Sequence, residues 1–148
     1  MFIKYFPDTL VIPSMGNNDG KYHYQGIEKA DKADYYGFFF QHWFQNHPLF
    51  SSRLSSIETT FKYGGYYRLD IDSKLSVLAI NTLYMNKKND FSNQGTEAED
   101  IIAWMRTQLS TGKQEGRKFI LTNHIYPGAK YSSKSKNLLN ETYNAEYF

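Results

Sequence analysis

Residues 10–24 of the chain, LVIPSMGNNDGKYHY, decide the prediction for the rest of its 148 residues. An apolar run ends at Pro13, and Gly16 then precedes the consecutive polar residues 17–19, Asn-Asn-Asp. A run that stops in this way at glycine is typical of a buried strand leading into a tight loop, so a first strand is expected over residues 10–14. In α/β folds, ligands bind at such strand ends.

The loop after this strand carries atoms that suit a ligand. Asn17, Asn18 and Asp19 offer side-chain oxygens of the kind that hard metal ions prefer. The tetrapeptide Asn-Asn-Asp-Gly also favours turns, so a turn without further function is the alternative interpretation. His23 follows closely enough to reach the same loop, although a His between two tyrosines is also consistent with an exposed residue that has no role.

Three later segments are predicted to form strands: residues 66–71, residues 75–84 and residues 117–122. The first two are expected to form a hairpin. The apolar run 77–80 does not alternate, which predicts a central strand buried on both faces. It ends in the polar pair Asn81 and Thr82, and the last strand leads into His124.

Helical patterns alternate with these strands. One helix is expected to begin at Asp31, capped by that residue, and a second to begin at Thr96 and end at Gly112 and Gly116. Aromatic residues at four-residue spacing in the first helix predict core packing, with a substrate-facing wall as the alternative. Residues 51–63 and the Ser/Lys-rich stretch after Gly128 are predicted to be loops. The order strand, helix, strand along the chain predicts an α/β fold, in which helices flank a mixed sheet.

Composition excludes several classes of protein. A length of 148 residues and a hydrophobic fraction of 41% suit one domain with a hydrophobic core. The net charge is +2 with mixed charges along the chain, which is not the electrostatic footprint of a nucleic-acid-binding protein. No apolar run is as long as a membrane span. The absence of cysteine excludes a disulfide scaffold and a thiolate metal site.

Two of these strand ends resemble signatures of the calcineurin-like metallophosphoesterases. Residues 16–19, Gly-Asn-Asn-Asp, resemble the third signature, usually Gly-Asn-His-Asp or Gly-Asn-His-Glu. Residues 118–131, KFILTNHIYPGAKY, look like the fourth signature of the acid-sphingomyelinase-like branch, where an apolar strand ends in His-Ile-Pro-Pro-Gly. The Gly-Asn-Asn-Asp form itself resembles the vacuolar endopolyphosphatases of the same broad group. The resemblance covers nearly the whole chain and implies part of an α/β/β/α sandwich.

The resemblance implies a centre with two divalent ions of the zinc, manganese or iron type, which activate water for attack on phosphorus. It makes Asn17 and His124 ligands of one ion, so their side chains are expected to converge from the ends of neighbouring strands. Asn18 and Asp19 become candidate catalytic residues, and His23 a candidate substrate contact. Asn18 replaces the usual His and has no proton that titrates near neutral pH, so the leaving group must be protonated otherwise or be an easier one.

The rest of the family's metal centre is not visible in the sequence. No Asp-x-His motif, upstream bridging Asp or Gly-His-x-His motif accompanies the two signatures. Two neutral ligands cannot offset the charge of two divalent ions, so carboxylates are needed in addition. Residues 1–148 are therefore expected to form a partial phosphoesterase domain that lacks the N-terminal and C-terminal metal motifs.

The function implied by the resemblance is metal-dependent hydrolysis of a phosphoester. The expected substrate is a small phosphoester, a sphingomyelin-like lipid headgroup or polyphosphate, and no nucleic acid is expected. The alternative is a non-catalytic α/β binding or interaction module derived from the same fold. The branch also implies a secreted, lysosomal or vacuolar full-length parent, although these 148 residues carry neither a signal peptide nor cysteines.

Overall fold

A mixed sheet lies at the centre of the computed structural model, which describes residues 2–90, 92, 95–130 and 133–147. Its strands are β1 (Tyr67–Asp70), β2 (Leu75–Ile80) and β3 (Lys118–Asn123), in the order β1-β2-β3. β1 and β2 are antiparallel, whereas β2 and β3 are parallel. Because β2 is central and its last five residues are buried, the prediction from the unbroken apolar run is confirmed.

The helices within the described residues are α1 (Phe2–Tyr5), α2 (Lys32–Phe40), α3 (Leu54–Gly64), α4 (Glu97–Gln114) and α5 (Glu141–Glu146). A π-helical turn, Gln41–Gln45, continues α2, and 3-10 turns span Pro48–Phe50 and Thr82–Met85. None of the helices in the described ranges combines the length and the apolar character that a membrane crossing needs.

Helices pack on both faces of the sheet. Tyr67 of β1 contacts Phe44 and Phe61 on one face, with ring centroids 5.0 and 6.0 Å away. Its neighbour Arg68 points to the other face and donates to Gln108 of α4 over 2.9 Å. Successive residues of a strand face opposite sides, so these two contacts place α2 and α3 on one face and α4 on the other. The mixed α/β sheet flanked by helices is confirmed and is compatible with part of a metallophosphoesterase fold.

Residues 10–14 do not form the predicted first strand. They have no ladder partner among the described residues. Leu10 and Ile12 pack against the core, and the hydroxyl of Tyr67 donates to the carbonyl of Pro13 over 2.6 Å. An apolar run predicts burial, and residues 10–14 are partly buried. A strand also needs a neighbouring strand for its N–H and C=O groups, and Pro13 has no N–H to donate.

Residues 51–63 were expected to be a loop, but most of them belong to α3. Ile57 and Phe61 lie four residues apart and are fully buried, while polar residues cover the exposed face. The helix ends at Gly65, whose φ of +70° suits glycine. A Cβ at Gly65 would lie 2.8 Å from Cε1 of Tyr36, so the close packing of α2 also requires glycine there.

Other local predictions need correction at the ends of elements. Gly112 lies inside α4 rather than ending it, and glycine is required there because a Cβ would meet the ring of Phe119. Asp31 occupies the N-cap position of α2 without a side-chain cap bond, and its carboxylate accepts from Lys21 instead. The stretch predicted as a loop after Gly128 contains the short hairpin β4 (Ala129–Lys130) and β5 (Ser133–Asn137).

Candidate active site

The side chains of Asn17 and His124 meet although they lie 107 residues apart in the chain. Nε2 of His124 donates to Oδ1 of Asn17 over 2.5 Å. The other end of the same amide is also used, since Nδ2 of Asn17 donates to Nε2 of His23 over 2.6 Å. The structure therefore brings three of the five predicted site residues into one hydrogen-bonded chain, His23–Asn17–His124.

Local hydrogen bonds shape the loop that carries Asn17. The N–H of Gly16 donates to the Asp19 carboxylate over 2.6 Å, and the N–H of Asp19 donates back to the Gly16 carbonyl over 3.0 Å. The N–H of Tyr24 donates to the Asn17 carbonyl over 3.1 Å, with Tyr24 at a φ of +65°. This loop, residues 16–24, is closed on itself by main-chain bonds, so it does not depend on a preceding strand.

The end of the sheet positions His124. The register pairs Ile80 with Asn123, so the carboxyl ends of β2 and β3 lie side by side. The N–H of Ile125 donates to the buried hydroxyl of Thr82 over 3.1 Å. Thr82 therefore holds the main chain directly after His124, a contact that was not predicted from the sequence. The sequence does contain a signal for this contact, because a polar residue close to the end of a buried central strand needs a hydrogen-bond partner.

Asn18 and Asp19 are placed differently from Asn17. The Asn18 side chain is exposed. The Asp19 carboxylate is partly buried and accepts from its own loop at Gly16. A Cβ built on Gly16 would lie 3.2 Å from that carboxylate and 3.4 Å from the His124 ring, so glycine is what lets the two groups approach.

The donor set fits one corner of a metal site. The Asn17 amide oxygen and the His124 imidazole are both suitable ligands, and each is neutral when it binds a metal. Binding would require the His124 Nε2 proton to be displaced. Within the described residues, no group of three or more His, Cys, Asp or Glu side chains is placed to hold an ion. The carboxylates that must balance two divalent ions are therefore not among these neighbours.

A separate cavity of about 550 Å³ lies between α3, α4 and β1. It is lined by Ser52, Arg53, Ser56, Thr60, Arg68, Asp70, Trp104 and Gln108. Arg68 in this cavity pairs with Asp70 over 2.6 Å and is bonded to Gln108 as well. None of the predicted site residues lines this cavity, so the two features are independent.

In comparison with curated proteins, the chain is similar to proteins named as phosphodiesterases and endopolyphosphatases. It is 30% identical over 125 residues to a protein from Dictyostelium discoideum named sphingomyelinase phosphodiesterase D, covering 83% of this chain and 26% of that one. It is 30% identical over 132 residues to an endopolyphosphatase from Schizosaccharomyces pombe, covering 84% and 22%. It is 25% identical over 145 residues to acid sphingomyelinase-like phosphodiesterase 3b from mouse, covering 96% and 30%.

These relatives confirm the predicted resemblance over most of the chain. The chain spans about a quarter of the length of the curated relatives that it matches. No family model matches it. The roles of Asn17, Asn18, Asp19, His23 and His124 stay predictions.

Proposed function

Because this chain is related to the acid-sphingomyelinase-like and endopolyphosphatase-like metallophosphoesterases, we propose that it forms part of a metal-dependent phosphoester hydrolase. The observation that carries the proposal is the contact between Asn17 and His124. Two residues matched independently to two signatures, 107 positions apart, place a carbonyl oxygen and an imidazole nitrogen 2.5 Å from each other. Convergence of this kind is what shared ligation of one ion requires.

Asn17 and His124 would hold one of two divalent ions of the zinc, manganese or iron type. Bound ions supply polarisation of the phosphoryl group and a water acidic enough to act as nucleophile. The chain's own contribution is to bring the two neutral donors together at the sheet end. The balancing carboxylates have to come from residues other than Asn17 and His124, because both of these are neutral ligands.

Asn18 and His23 would face the substrate beside these ligands. The Asn18 amide can donate a hydrogen bond to the leaving oxygen but cannot transfer a proton to it. A leaving group that departs as a stabilised anion needs no such proton. The terminal phosphate of a polyphosphate is of this kind, whereas the alkoxide leaving group of a sphingomyelin-like phosphodiester is not. Asn18 therefore favours a phosphoanhydride substrate over a phosphodiester of an alcohol.

The test uses the 148-residue chain with Zn²⁺ or Mn²⁺, and the variants Asn17→Ala and His124→Ala. We expect weak metal binding in the wild type, loss of that binding in both variants, and hydrolysis of bis-p-nitrophenyl phosphate at the background rate. His42→Ala is the matched control, because His42 is exposed and its ring contacts Phe38, one turn earlier, through a hydrogen bond to the carbonyl and by stacking. Robust turnover that disappears in His124→Ala would show that the chain already holds a complete centre, and metal binding unaffected by both variants would refute the assignment.

The second candidate is a binding module without catalysis. It is favoured by the Asp19 carboxylate, which accepts from the Gly16 N–H within its own loop. Such a module would bind pyrophosphate or short polyphosphate at the Asn17 loop without metal and without turnover. Calorimetry with pyrophosphate in the presence of a chelator distinguishes the two, because the hydrolase proposal requires the ion for phosphate binding.

A further inference from the structure

The amide of Asn17 has both of its ends engaged, and the two ends are not equivalent. Nδ2 can only donate a hydrogen bond, while Oδ1 can only accept one. In the structure Nδ2 faces His23 and Oδ1 faces His124. An amide rotated by half a turn would present its N–H groups to His124 and could not ligate an ion there. The orientation of this amide therefore decides whether Asn17 can serve as a ligand.

His23 is the residue that selects this orientation. With the His23 proton on Nδ1, its Nε2 accepts from the Asn17 amide, and the carbonyl end of a rotated amide would then meet a nitrogen lone pair instead of an N–H group. The centroids of the His23 and Tyr24 rings lie 4.2 Å apart. The Nζ of Lys88 lies 4.0 Å from the centroid of the same Tyr24 ring. Tyr24 in turn donates its N–H to the Asn17 carbonyl. His23 is thus bonded to Asn17 through its side chain, and the next residue, Tyr24, is bonded to Asn17 through the main chain.

The surroundings of His23 exclude a packing role. Its side chain is exposed, and it is absent from the hydrophobic core and from the residues packed against that core. A His at the surface that orients one buried or half-buried ligand contributes geometry rather than stability. The ligand in this case is Asn17, which is half-buried. Without His23, the Nδ2 of Asn17 would bond to water instead.

We propose that His23 is a positioning residue for Asn17: by accepting from Nδ2 it holds Oδ1 toward His124 and toward an ion that the two residues share. The ion in this statement rests on the proposed function, whereas the orientation of the amide does not. Residues that orient metal ligands typically alter metal affinity 10- to 100-fold when they are removed. We therefore expect His23→Ala to weaken Zn²⁺ binding by about 10-fold or more.

The experiment follows the side-chain amide of Asn17 by ¹H–¹⁵N NMR in the 148-residue chain, with Asn17→Ser to assign its signals. In the wild type, the two Nδ2 protons should be well separated and slow to exchange with water. In His23→Ala they should move together toward the values of a free amide. In His23→Gln they should recover, because the Gln carbonyl can accept from Nδ2 as the imidazole does. His42→Ala should leave them unchanged.

Zn²⁺ titration of the same samples gives the second reading. Zn²⁺ affinity should fall in His23→Ala and return in His23→Gln, with His42→Ala as wild type. Asn17 signals that are unchanged in His23→Ala would overturn the proposal, and so would changed signals with unchanged Zn²⁺ affinity. If the wild type binds no Zn²⁺ at all, the metal assignment of the proposed function fails by itself, and the amide signals alone decide whether His23 orients Asn17.

Discussion

The aromatic core under α2 and α3 and the Asn17 loop are stabilised by different forces. The core is built from fully buried rings, and Phe61 at its centre is 0% exposed with five aromatic neighbours. The Asn17 loop, residues 16–24, depends on a small set of hydrogen bonds, and the two side chains that bond to Asn17, those of His23 in the loop and His124 after β3, are exposed. Burial of rings contributes most of the free energy of folding, whereas the loop contributes directed contacts.

This difference means that stability and site geometry can be altered separately. Variants in the core should change the free energy of unfolding and reach the site only through loss of the fold. Variants in the loop should change ligand contacts and leave unfolding almost unchanged. The following predictions test this separation, beginning with the largest expected effect.

Phe61→Ala should destabilise the chain by about 3–5 kcal/mol, because it removes a buried ring and leaves a cavity among its neighbours. Denaturant unfolding followed by circular dichroism gives the measurement. Phe38→Ala is the matched control, since Phe38 is 56% exposed and its loss should cost about 0.5 kcal/mol or less. Equal losses in the two variants would contradict the assignment of Phe61 to the centre of the core.

Glu97→Ala should destabilise the chain by about 3 kcal/mol, at the low end of the range for breaking a buried ion pair. Glu97 accepts from Lys32 over 2.5 Å, and the two side chains are only 6% and 12% exposed. The loss should be limited because the Lys32 ammonium also lies 4.4 Å from the Tyr63 ring.

The double variant Lys32→Met/Glu97→Leu separates the cost of an unpaired charge from the value of the pair. Its free energy of unfolding should be close to that of the wild type, because apolar replacements of both partners leave no buried charge. A double variant as unstable as Glu97→Ala would show that the pair itself stabilises the fold.

Asn17→Ala should cost about 1 kcal/mol or less in unfolding, although it removes both side-chain hydrogen bonds of the site. The bonds lie at the surface, where water replaces them. Thermal unfolding of Asn17→Ala and His124→Ala beside their metal titrations provides the measurement. A large loss of stability in either variant would mean that the loop and the core are not separable.

The smallest expected effect on stability is at Asp70, which bonds to Arg68 and Ser76 and belongs neither to the aromatic core nor to the Asn17 loop. Partial burial raises the pKa of Asp70, but hydrogen bonds from Arg68 and Ser76 and the nearby arginine charges lower it more, so it lies below its ordinary value of 3.8. A lowered pKa contributes stability above the unfolded value, and this stability is lost as the pH falls through the folded value. The carboxylate is 51% exposed, so screening by solvent keeps the contribution to a few tenths of a kcal/mol.

Asp70→Asn should therefore flatten the loss of stability below about pH 4 and change little at pH 7 beyond a small constant offset. Urea unfolding at several pH values between about 3 and 7 gives the measurement. An acid dependence identical to that of the wild type would assign the acid sensitivity to other carboxylates.

The sequence determined those features that depend on local pattern or on matched signatures. The unbroken apolar run 77–80 predicted the central strand, since only a strand covered on both faces tolerates it. The apolar spacing after Thr96 predicted α4, with Ile101 and Met105 buried as expected. The resemblance predicted that the side chains of Asn17 and His124 converge, and the two are hydrogen-bonded to each other.

Only the tertiary structure decided the features that need a partner from elsewhere in the chain. Residues 10–14 are partly buried, yet they form no strand because ladder pairing depends on a neighbour that local sequence does not specify. Residues 51–63 appeared polar, yet Ile57 and Phe61 suffice for a helix once the core of α2 and β1 covers them. The hydrogen bonds of Asn17 with His23 and of Ile125 with Thr82 are 2.6 and 3.1 Å long. Such contacts depend on how the folded chain places distant residues, which the order of residues in the sequence does not specify.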